Sequence, residues 1–311
     1  MKKALAPLLL LTLAACSTPT ASTPSGITIN NCGVDVTFDK APERVVMLKS
    51  AAVPYLHSLG VMDRVVSRAG QYPKEYYDAA TQAEIEKVPL LTDKHDTSGH
   101  LQISKEVVIA QTPDLVLGEV DNLSRDTLSA VNIPLLEEPA MCKNATAVPT
   151  FDDIFKQMET YGKVFGRESE AATAVTALKA RFDKIKTSST GRTAAVLYPT
   201  VGGGVTYAYG SASMAQPQLE AAGFQNVFGD SKERVFEVTL EELLGRNPDV
   251  LILLYPDGDA HAVEQAITTL PGADKLKAVQ SGNVMTQLFN FTEPPTPLSI
   301  DGLEKIVQRF K

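Results

Sequence analysis

Short apolar blocks and amphipathic stretches alternate along most of the chain. Apolar and β-branched residues fill positions 45–48, 65–66 and 115–117, and an amphipathic stretch lies between the first two blocks at 53–59. Strands of a parallel sheet are buried on both faces, so their sequences are continuously apolar rather than alternating. The same rhythm begins again in the second half, with its clearest block at 250–254. We therefore predict an α/β protein with two Rossmann-like lobes.

A helical pattern separates the two series of blocks, and Gly166 interrupts it. Large apolar residues recur at helical spacing on both sides of this glycine, at Phe151, Phe155, Met158, Tyr161 and Phe165, then at Ala171, Val175, Leu178, Phe182 and Ile185. This predicts two successive helices. The second would measure about 30 Å over about 20 residues, enough to join the lobes as a single long interdomain helix. We predict an N-terminal lobe at 31–166, this helix at 167–188, and a C-terminal lobe at 189–311.

One sequence element occurs once in each half of the chain. The segment Glu106-x6-Pro-Asp-Leu-Val-Leu recurs as Glu241-x6-Pro-Asp-Val-Leu-Ile. Each copy predicts a short helix that is opened by a polar residue, Ser104 or Thr239, ends at Pro-Asp and leads into a buried strand. The simplest role for the two glutamates is a favourable interaction with the N-terminal dipole of their helices.

The N-terminus has the features of an export signal. Lys2 and Lys3 precede an apolar run at 5–13 that is too short to cross a bilayer as a mature helix. The run closes on Leu-Ala-Ala-Cys16, which resembles the bacterial lipobox and implies that Cys16 is lipidated. An ordinary secretory signal with an incidental cysteine is the alternative. We predict a lipoprotein signal peptide at 1–16 and a flexible Ser/Thr/Pro-rich tether at 17–30.

Composition and charge exclude several classes of protein. The net charge is −8 without a block of like charge, which argues against nucleic-acid partners and against a basic membrane-binding patch. Beyond Cys16, the chain contains Cys32 and Cys142, and an exported pair favours a disulfide over a metal site. A disulfide between Cys32 and Cys142 would close a loop of about 110 residues and would stabilise the fold by at most about 4–5 kcal/mol.

Catalytic motifs are missing from the sequence. The triple glycine at 202–204 lacks the Lys-Ser/Thr pair of a phosphate-binding loop, and neither Gly-x-Ser-x-Gly nor His-Glu-x-x-His occurs. Of the four histidines, His95 and His100 alone are close enough in sequence to share a metal, and no cysteine or carboxylate trio accompanies them. We therefore predict a binding protein without a cofactor, although an enzyme on the same scaffold is a conceivable alternative.

Several motifs together resemble one family. Ala41-Pro-Glu-Arg-Val-Val, the Leu59-Gly-Val that follows, the two Glu-x6-Pro-Asp segments and the central helix are similar to those of class III, helical-backbone periplasmic solute-binding proteins. The similarity covers nearly all of 30–311. It implies a monomeric, extracytoplasmic receptor of an ABC importer for ferric siderophores, haem or cobalamin. It also implies that Glu106 and Glu241, one on each lobe, dock onto arginines of the permease.

In such a fold the ligand lies between the lobes, beside loops that follow the strands. The first lobe offers Lys49, Ser50, Arg68, Tyr72, His95, His100 and Glu119, and the second offers Tyr207, Tyr209, Arg234, Phe236, Tyr255, Phe289 and Phe291. We favour a siderophore complex that carries Fe(III), because arginines could bind its charge and aromatic rings could cover its apolar rim.

Other ligands and another role stay open. Haem would need an axial ligand, which His95, His100, Tyr207 or Tyr209 could supply. The absence of tryptophan from the chain argues against cobalamin without excluding it. A surface lipoprotein that scavenges or senses its ligand without importer docking is a further alternative.

Overall fold

The computed structural model describes residues 26–96, 100–143 and 148–311. The predicted signal peptide, the lipobox with Cys16 and the first part of the tether lie outside these residues. The chain then enters a β-hairpin, in which β1 (Ile27–Asn31) pairs antiparallel with β2 (Val34–Phe38). Residues 27–30 are therefore part of a strand rather than of the tether, because their apolar and polar positions alternate and their backbone pairs with β2.

The first lobe is built on a parallel four-stranded sheet. Its strands follow the order β4-β3-β5-β6. The strands are β3 (Val45–Met47), β4 (Val65–Arg68), β5 (Leu115–Leu117) and β6 (Leu135–Leu136), and the helices are α1 (Val53–Ser58), α2 (Ala79–Lys87), α3 (Lys105–Ile109) and α4 (Arg125–Ser129). Single 3-10 turns occur at Ser50–Ala52, Met62–Arg64, Lys74–Tyr76 and Pro139–Met141.

The second lobe has a mixed sheet of order β10-β8-β7-β11-β12, with β9 paired to β7. The strands are β7 (Thr193–Pro199), β8 (Thr206–Tyr209), β9 (Gln225–Asn226), β10 (Val235–Val238), β11 (Val250–Tyr255) and β12 (Val284–Leu288). The helices are α7 (Ala215–Ala221), α8 (Leu240–Arg246), α9 (Ala260–Thr268), α10 (Lys277–Gln280) and α11 (Pro297–Phe310), with 3-10 turns at Ala273–Lys275 and Phe289–Phe291. Within this sheet, β8 runs antiparallel to both β7 and β10, and the other described pairs are parallel. The prediction of two α/β lobes is confirmed.

Two helices connect the lobes in sequence, α5 (Phe151–Phe165) and α6 (Glu168–Ile185). Gly166 lies between them with φ of 62°, a left-handed conformation that glycine adopts without strain. Helix α6 packs along α5, and its Arg181 side chain forms ion pairs with Asp301 and Glu304 of α11. It thus contacts helices of both lobes over the range in which we predicted a single interdomain helix.

The apolar core is continuous from one sheet to the other. Alternate side chains of each central strand point in opposite directions: Met47 and Ile252 join a core that is shared by both lobes. Val46 faces an outer core of the first lobe and Leu253 faces an outer core of the second. The sheets are therefore covered on both faces, as their continuous apolar sequences predict.

The hairpin is fixed to the first lobe by a covalent bond and by polar contacts. A disulfide joins Cys32 to Cys142, with 5.3 Å between their Cα atoms. Beside it, the Asn31 side chain donates to the Glu137 carbonyl at 2.8 Å and accepts from the Glu137 N–H at 2.9 Å. Arg125 donates to the Asn31 side-chain oxygen at 2.5 Å. The hairpin consequently covers the end of β6.

Both copies of the repeated segment have the same local structure. Ser104 and Thr239 cap α3 and α8, and the residue before each Pro-Asp pair has positive φ, 47° at Thr112 and 43° at Asn247. The aspartate carboxylate then binds the start of a neighbouring strand. In the second lobe, Asp249 accepts from the Thr193 backbone N–H at 2.9 Å and from its hydroxyl at 3.0 Å.

We expect Asp249→Ala to lower the free energy of unfolding by about 1–2 kcal/mol at pH 7, because it leaves the Thr193 N–H without its charged acceptor. Donation by Thr193 lowers the pKa of Asp249. The stabilisation is therefore present above the ordinary aspartate pKa and is lost as pH falls through the lowered value. Urea unfolding of wild type and variant at pH 7, 4.5 and 3 should show a difference that shrinks only at the lowest pH. A difference independent of pH would contradict this role.

Candidate functional site

A cavity of about 480 Å³ opens where the lobes approach each other. At this point the Gln71 side chain donates to Asp257 Oδ2 across the gap, at 2.6 Å. The cavity is lined from the first lobe by Arg68, Tyr72, Tyr77 and Glu86, and from the second by Tyr255, Asp257 and Leu288, among others. Three of the predicted ligand residues, Arg68, Tyr72 and Tyr255, therefore line one space.

Arg68 and Tyr72 form the first-lobe wall of this cavity. The guanidinium carbon of Arg68 lies 4.8 Å from the centre of the Tyr72 ring, and its Nε donates to the Val88 carbonyl at 3.2 Å. The Tyr72 hydroxyl donates to the Met47 carbonyl at 3.4 Å. Burial raises the pKa of Tyr72 far above its usual value, so the phenol is neutral at physiological pH. The stacked cation and ring provide both charge and apolar surface to a ligand.

A second contact between the lobes involves the segment that follows β12. The Asn290 backbone N–H donates to the Tyr76 hydroxyl at 2.9 Å, and the ring centres of Tyr76 and Phe291 are 5.0 Å apart. The Tyr55 hydroxyl donates to the Pro295 carbonyl at 3.2 Å. Residues 290–295 of the second lobe are thereby held against the first lobe at both of their ends.

The second lobe contributes further aromatic surface at the same junction. Phe289 lies edge-on to Tyr198, with 6.1 Å between ring centres, and both are half-buried. Tyr255 is also half-buried at the carboxyl end of β11. Tyr198 and Tyr255 lie at the carboxyl ends of β7 and β11, and Phe289 directly follows β12. These three strands are parallel, and their carboxyl ends meet at one edge of the sheet. This edge is where we predicted the ligand-binding loops.

Lys49, at the end of β3, makes a partly buried ion pair. Its Nζ lies 2.6 Å from Glu137 Oε2, and the Glu137 side chain is 2% exposed whereas that of Lys49 is 31% exposed. Glu137 also accepts from the Glu119 backbone N–H at 2.8 Å. The Lys49 stem lies over Gly118, whose φ of 94° suits glycine, and an added Cβ there would be 3.0 Å from Lys49 Cγ. The lysine head is thus fixed at the end of the sheet.

A second buried carboxyl lies next to this pair. Glu138 accepts a hydrogen bond from the Tyr161 hydroxyl at 3.0 Å, and its Oε2 has no partner. Burial, reinforced by the charge of Glu137, raises the pKa of Glu138 to about 8. Tyr161 packs edge-on against Tyr55, with ring centres 5.3 Å apart. A pKa of about 8 favours the protonated form of Glu138 at neutral pH.

Arg234 makes the corresponding pair in the second lobe. Its Nη1 lies 3.2 Å from Glu293 Oε2, and the Glu293 side chain is 1% exposed whereas that of Arg234 is 33% exposed. The Met214 backbone N–H donates to Glu293 Oε1 at 2.6 Å. Burial raises the pKa of Glu293, while Arg234 and the Met214 N–H counter that rise. The predicted residue Tyr209 is buried nearby, and burial raises its pKa.

Other predicted ligand residues lie elsewhere. Phe236 packs against Phe228 in the outer core, with 5.6 Å between ring centres, because the two-residue period of β10 turns it to the same face as Val238. Phe236 is not among the residues that line the cavity described above. Tyr207 is half-buried in β8, where its backbone pairs with Glu237.

Both predicted loop histidines contact groups of the first lobe. His95 Nδ1 lies 2.8 Å from the Asp93 carbonyl, and His100 Nδ1 lies 2.7 Å from Asp121 Oδ2. Within residues 26–96, 100–143 and 148–311, no group of three or more His, Cys, Asp or Glu side chains is arranged to hold a metal ion. Axial ligation of haem by His95 or His100 stays a prediction.

Glu106 and Glu241 occupy equivalent positions. Each is the second residue of its helix, α3 or α8, and each is exposed. The matching caps at Ser104 and Thr239 give the two glutamates the same local geometry on their respective lobes. Permease docking is a prediction that this arrangement leaves open.

Comparisons with known proteins define the class. A model of the family described as "Periplasmic binding protein" matches residues 45–287, and the chain belongs to this family. Its members are extracytoplasmic solute-binding components of ABC transporters and are not enzymes. In the described part of the chain, no helix combines the length and apolar character needed to cross a membrane.

Individual relatives cover most of the chain. A crystal structure from an ABC-type Fe3+-hydroxamate transport system of Saccharomonospora viridis is 56% identical, with a TM-score of 0.87 over 91% of this chain and 98% of that one. The uncharacterized ABC transporter substrate-binding lipoprotein YvrC of Bacillus subtilis is 26% identical over 88% of this chain and 82% of its own length. The vitamin B12-binding protein BtuF of Vibrio cholerae shares the fold, with 18% identity and a TM-score of 0.64 over 86% of this chain and 97% of that one.

We expect Glu138→Gln to stabilise the protein at pH 8 relative to wild type by more than about 1 kcal/mol. Because the pKa of Glu138 is raised in the folded protein, its contribution to the free energy of unfolding is fully present below the pKa of an unfolded glutamate. This contribution is lost as pH rises through about 8. Glutamine cannot ionise, so the variant escapes this loss. Urea unfolding at pH 5 and pH 8 should show that its advantage grows with pH.

Glu159→Gln is the matched control, because Glu159 is exposed on the same helix as Tyr161. Its effect on unfolding should be the same at pH 5 and pH 8. An advantage of Glu138→Gln that does not grow between these pH values would mean that Glu138 is ionised in the folded protein.

Proposed function

We propose that this protein is the receptor of an ABC importer and that it binds an Fe(III)–siderophore complex between its lobes. The observation that carries the proposal is the 56% identity to the structure from the Fe3+-hydroxamate transport system, which extends over 91% of this chain. Identity at this level over both lobes supports a shared class of ligand as well as a shared fold. The complex is cargo, and the protein needs no cofactor of its own.

The chemistry of the junction supports this ligand class. A siderophore complex is a bulky ligand with oxygen atoms and an apolar rim, and pockets for such ligands combine apolar walls with a few fixed polar groups. Arg68 stacks on Tyr72 at the cavity, and Tyr198, Tyr255 and Phe289 add rings from the other lobe. Cations and rings in these positions suit both parts of the ligand.

Delivery to a permease and attachment to a membrane complete the proposal. Glu106 and Glu241 are exposed at equivalent positions, one on each lobe, and would meet basic residues of the permease. Lipidation of Cys16 would hold the protein at the outer face of the membrane, with residues 17–26 as a tether. The lipobox-like sequence at residues 13–16 supports this attachment. We propose that the protein acts as a monomer.

Cobalamin is a second candidate ligand. A cobalamin-binding protein of Halobacterium salinarum is 24% identical over 88% of this chain and 71% of its own length. The aromatic rings at the junction could also cover a corrin ring. The higher identity to the iron-transport structure favours the siderophore complex.

We expect the purified protein to bind an iron(III) siderophore complex with submicromolar affinity, measured by quenching of its tyrosine fluorescence in a panel that includes haem and cobalamin. Arg68→Met should weaken binding at least about tenfold, since it removes the cation that is stacked on Tyr72. Arg309→Met, an exposed arginine of α11, should leave binding unchanged. Saturable quenching by cobalamin or haem alone would replace the siderophore proposal.

We expect the double substitution Glu106→Ala and Glu241→Ala to abolish ligand uptake by cells while ligand binding by the purified protein is unchanged. The reason is that both charges are exposed and that neither residue lines the cavity. Glu264→Ala is the control, because Glu264 lies on α9 and does not line the cavity. It should leave both uptake and ligand binding unchanged. Normal uptake by the double variant would favour a scavenging or sensory lipoprotein.

A further inference from the structure

A hydrogen bond between two side chains joins the lobes where the cavity meets solvent. The Gln71 amide of the first lobe donates to Asp257 Oδ2 of the second lobe at 2.6 Å. Both residues line the cavity, Gln71 is half-buried, and Asp257 is exposed. We call this pair the rim contact, because it closes the cavity at its exposed side.

The two partners of the rim contact are held differently by their own lobes. Gln71 comes shortly after β4, and the backbone N–H of the preceding Gly70 donates to the Thr92 carbonyl at 2.8 Å. Asp257 lies in an exposed turn after β11 and precedes Gly258, which has φ of 87°. A Cβ added at Gly258 would meet no atom within 4 Å. The first-lobe side of the rim contact is therefore tied down, whereas the second-lobe side has space in which to move.

The other hydrogen bonds described above between the lobes are of a different kind. Tyr55 donates to the Pro295 carbonyl and the Asn290 N–H donates to Tyr76, and both tyrosines are buried. Tyr76 directly precedes Tyr77, which lines the cavity. Breaking a buried hydrogen bond leaves its groups unsatisfied, whereas water replaces the partners of an exposed one. The lobes therefore separate more readily at the rim contact than along 290–295.

The cavity behind the rim contact has the volume of a ligand pocket. It measures about 480 Å³ while the rim contact is formed. Pockets for small molecules and cofactors span about 300–1,000 Å³. A ligand can therefore occupy the cavity with the rim contact intact, and the contact has to break only while the ligand enters or leaves.

We infer that the rim contact is a latch that controls how fast a ligand enters and leaves the cavity. The inference rests on the proposed function, because it takes the cavity as the ligand site. A contact that is equally stable with and without ligand does not alter affinity. Its loss therefore raises the association and dissociation rates by the same factor and leaves Kd unchanged. Gln71 and Asp257 act on the ligand only through the positions of the lobes.

Two substitutions test the latch by exchanging charge across it. Gln71→Glu alone sets two carboxylates against each other, and their repulsion opens the rim contact. Gln71→Glu combined with Asp257→Asn restores one amide and one carboxylate on side chains of the original lengths, with the donor now on the second lobe. The double variant should therefore close the rim contact again.

The probe is a neutral iron(III) tris-hydroxamate complex, followed by stopped-flow tyrosine fluorescence of the full protein. A neutral probe is chosen because the added charge of Gln71→Glu then neither attracts nor repels it. Gln71→Glu should raise both rates about tenfold while Kd stays within about threefold of the wild-type value. The double variant should return both rates to within about twofold of wild type.

Gln225→Glu is the matched control. It adds the same charge at an exposed residue of β9 that does not line the cavity, and it should leave both rates unchanged. Hydrogen exchange of the ligand-free protein gives a second readout. Peptides that contain Tyr72 and Tyr255, which line the cavity from opposite lobes, should exchange faster in Gln71→Glu and at the wild-type rate in the double variant.

Unchanged rates in Gln71→Glu would overturn the latch. A rise in Kd that the double variant does not reverse would also overturn it, since Gln71 would then contact the ligand directly. If wild type fails to bind the iron(III) complex, the proposed ligand is wrong, and hydrogen exchange of the ligand-free variants decides on the latch independently.

Discussion

The apolar core that continues from one sheet to the other is the feature on which the rest of this structure depends. Side chains of β3 and β5 in the first lobe and of β7 and β11 in the second belong to one buried cluster, together with α5, α6 and α11. Burial of apolar area is non-directional, but close packing leaves few arrangements of the two sheets. A fixed arrangement of the sheets fixes where their carboxyl ends meet. The candidate site lies at that meeting point.

This fixed junction makes buried charges tolerable. A carboxylate with almost no exposure is costly unless it is paired and hydrogen-bonded. Glu137 and Glu293 satisfy both conditions, because each has a cation on one side and a backbone N–H on the other. Glu138 satisfies neither condition fully and holds its proton instead. Packing thus provides these buried carboxyls with different partners, and burial raises the pKa of Glu138 to about 8.

The parts of the fold that depend on residues close together in sequence were predictable from the sequence. The repeated Glu-x6-Pro-Asp segments contain their own caps and strand starts, so α3 and α8 have the expected structure. Side-chain direction was harder to predict. Phe236 points to the outer core, because successive side chains of β10 face opposite sides of the sheet and a shift of one residue would reverse its direction. The residues 27–30 belong to a strand because β2, which follows them, supplies the pairing partner.

The buried partners at the site could not be inferred from local pattern. Lys49 and Glu137 are 88 residues apart in sequence, and Arg234 and Glu293 are 59 residues apart. Each of these residues, taken alone, is an unremarkable charged residue near the end of a strand or in a loop. Arg234 taken alone suggests a site for an anion. Paired with Glu293, it carries no net charge, although its guanidinium still has N–H donors. The net charge of each pair is therefore set by the partner of its cation, and these partners become apparent only when the chain is folded.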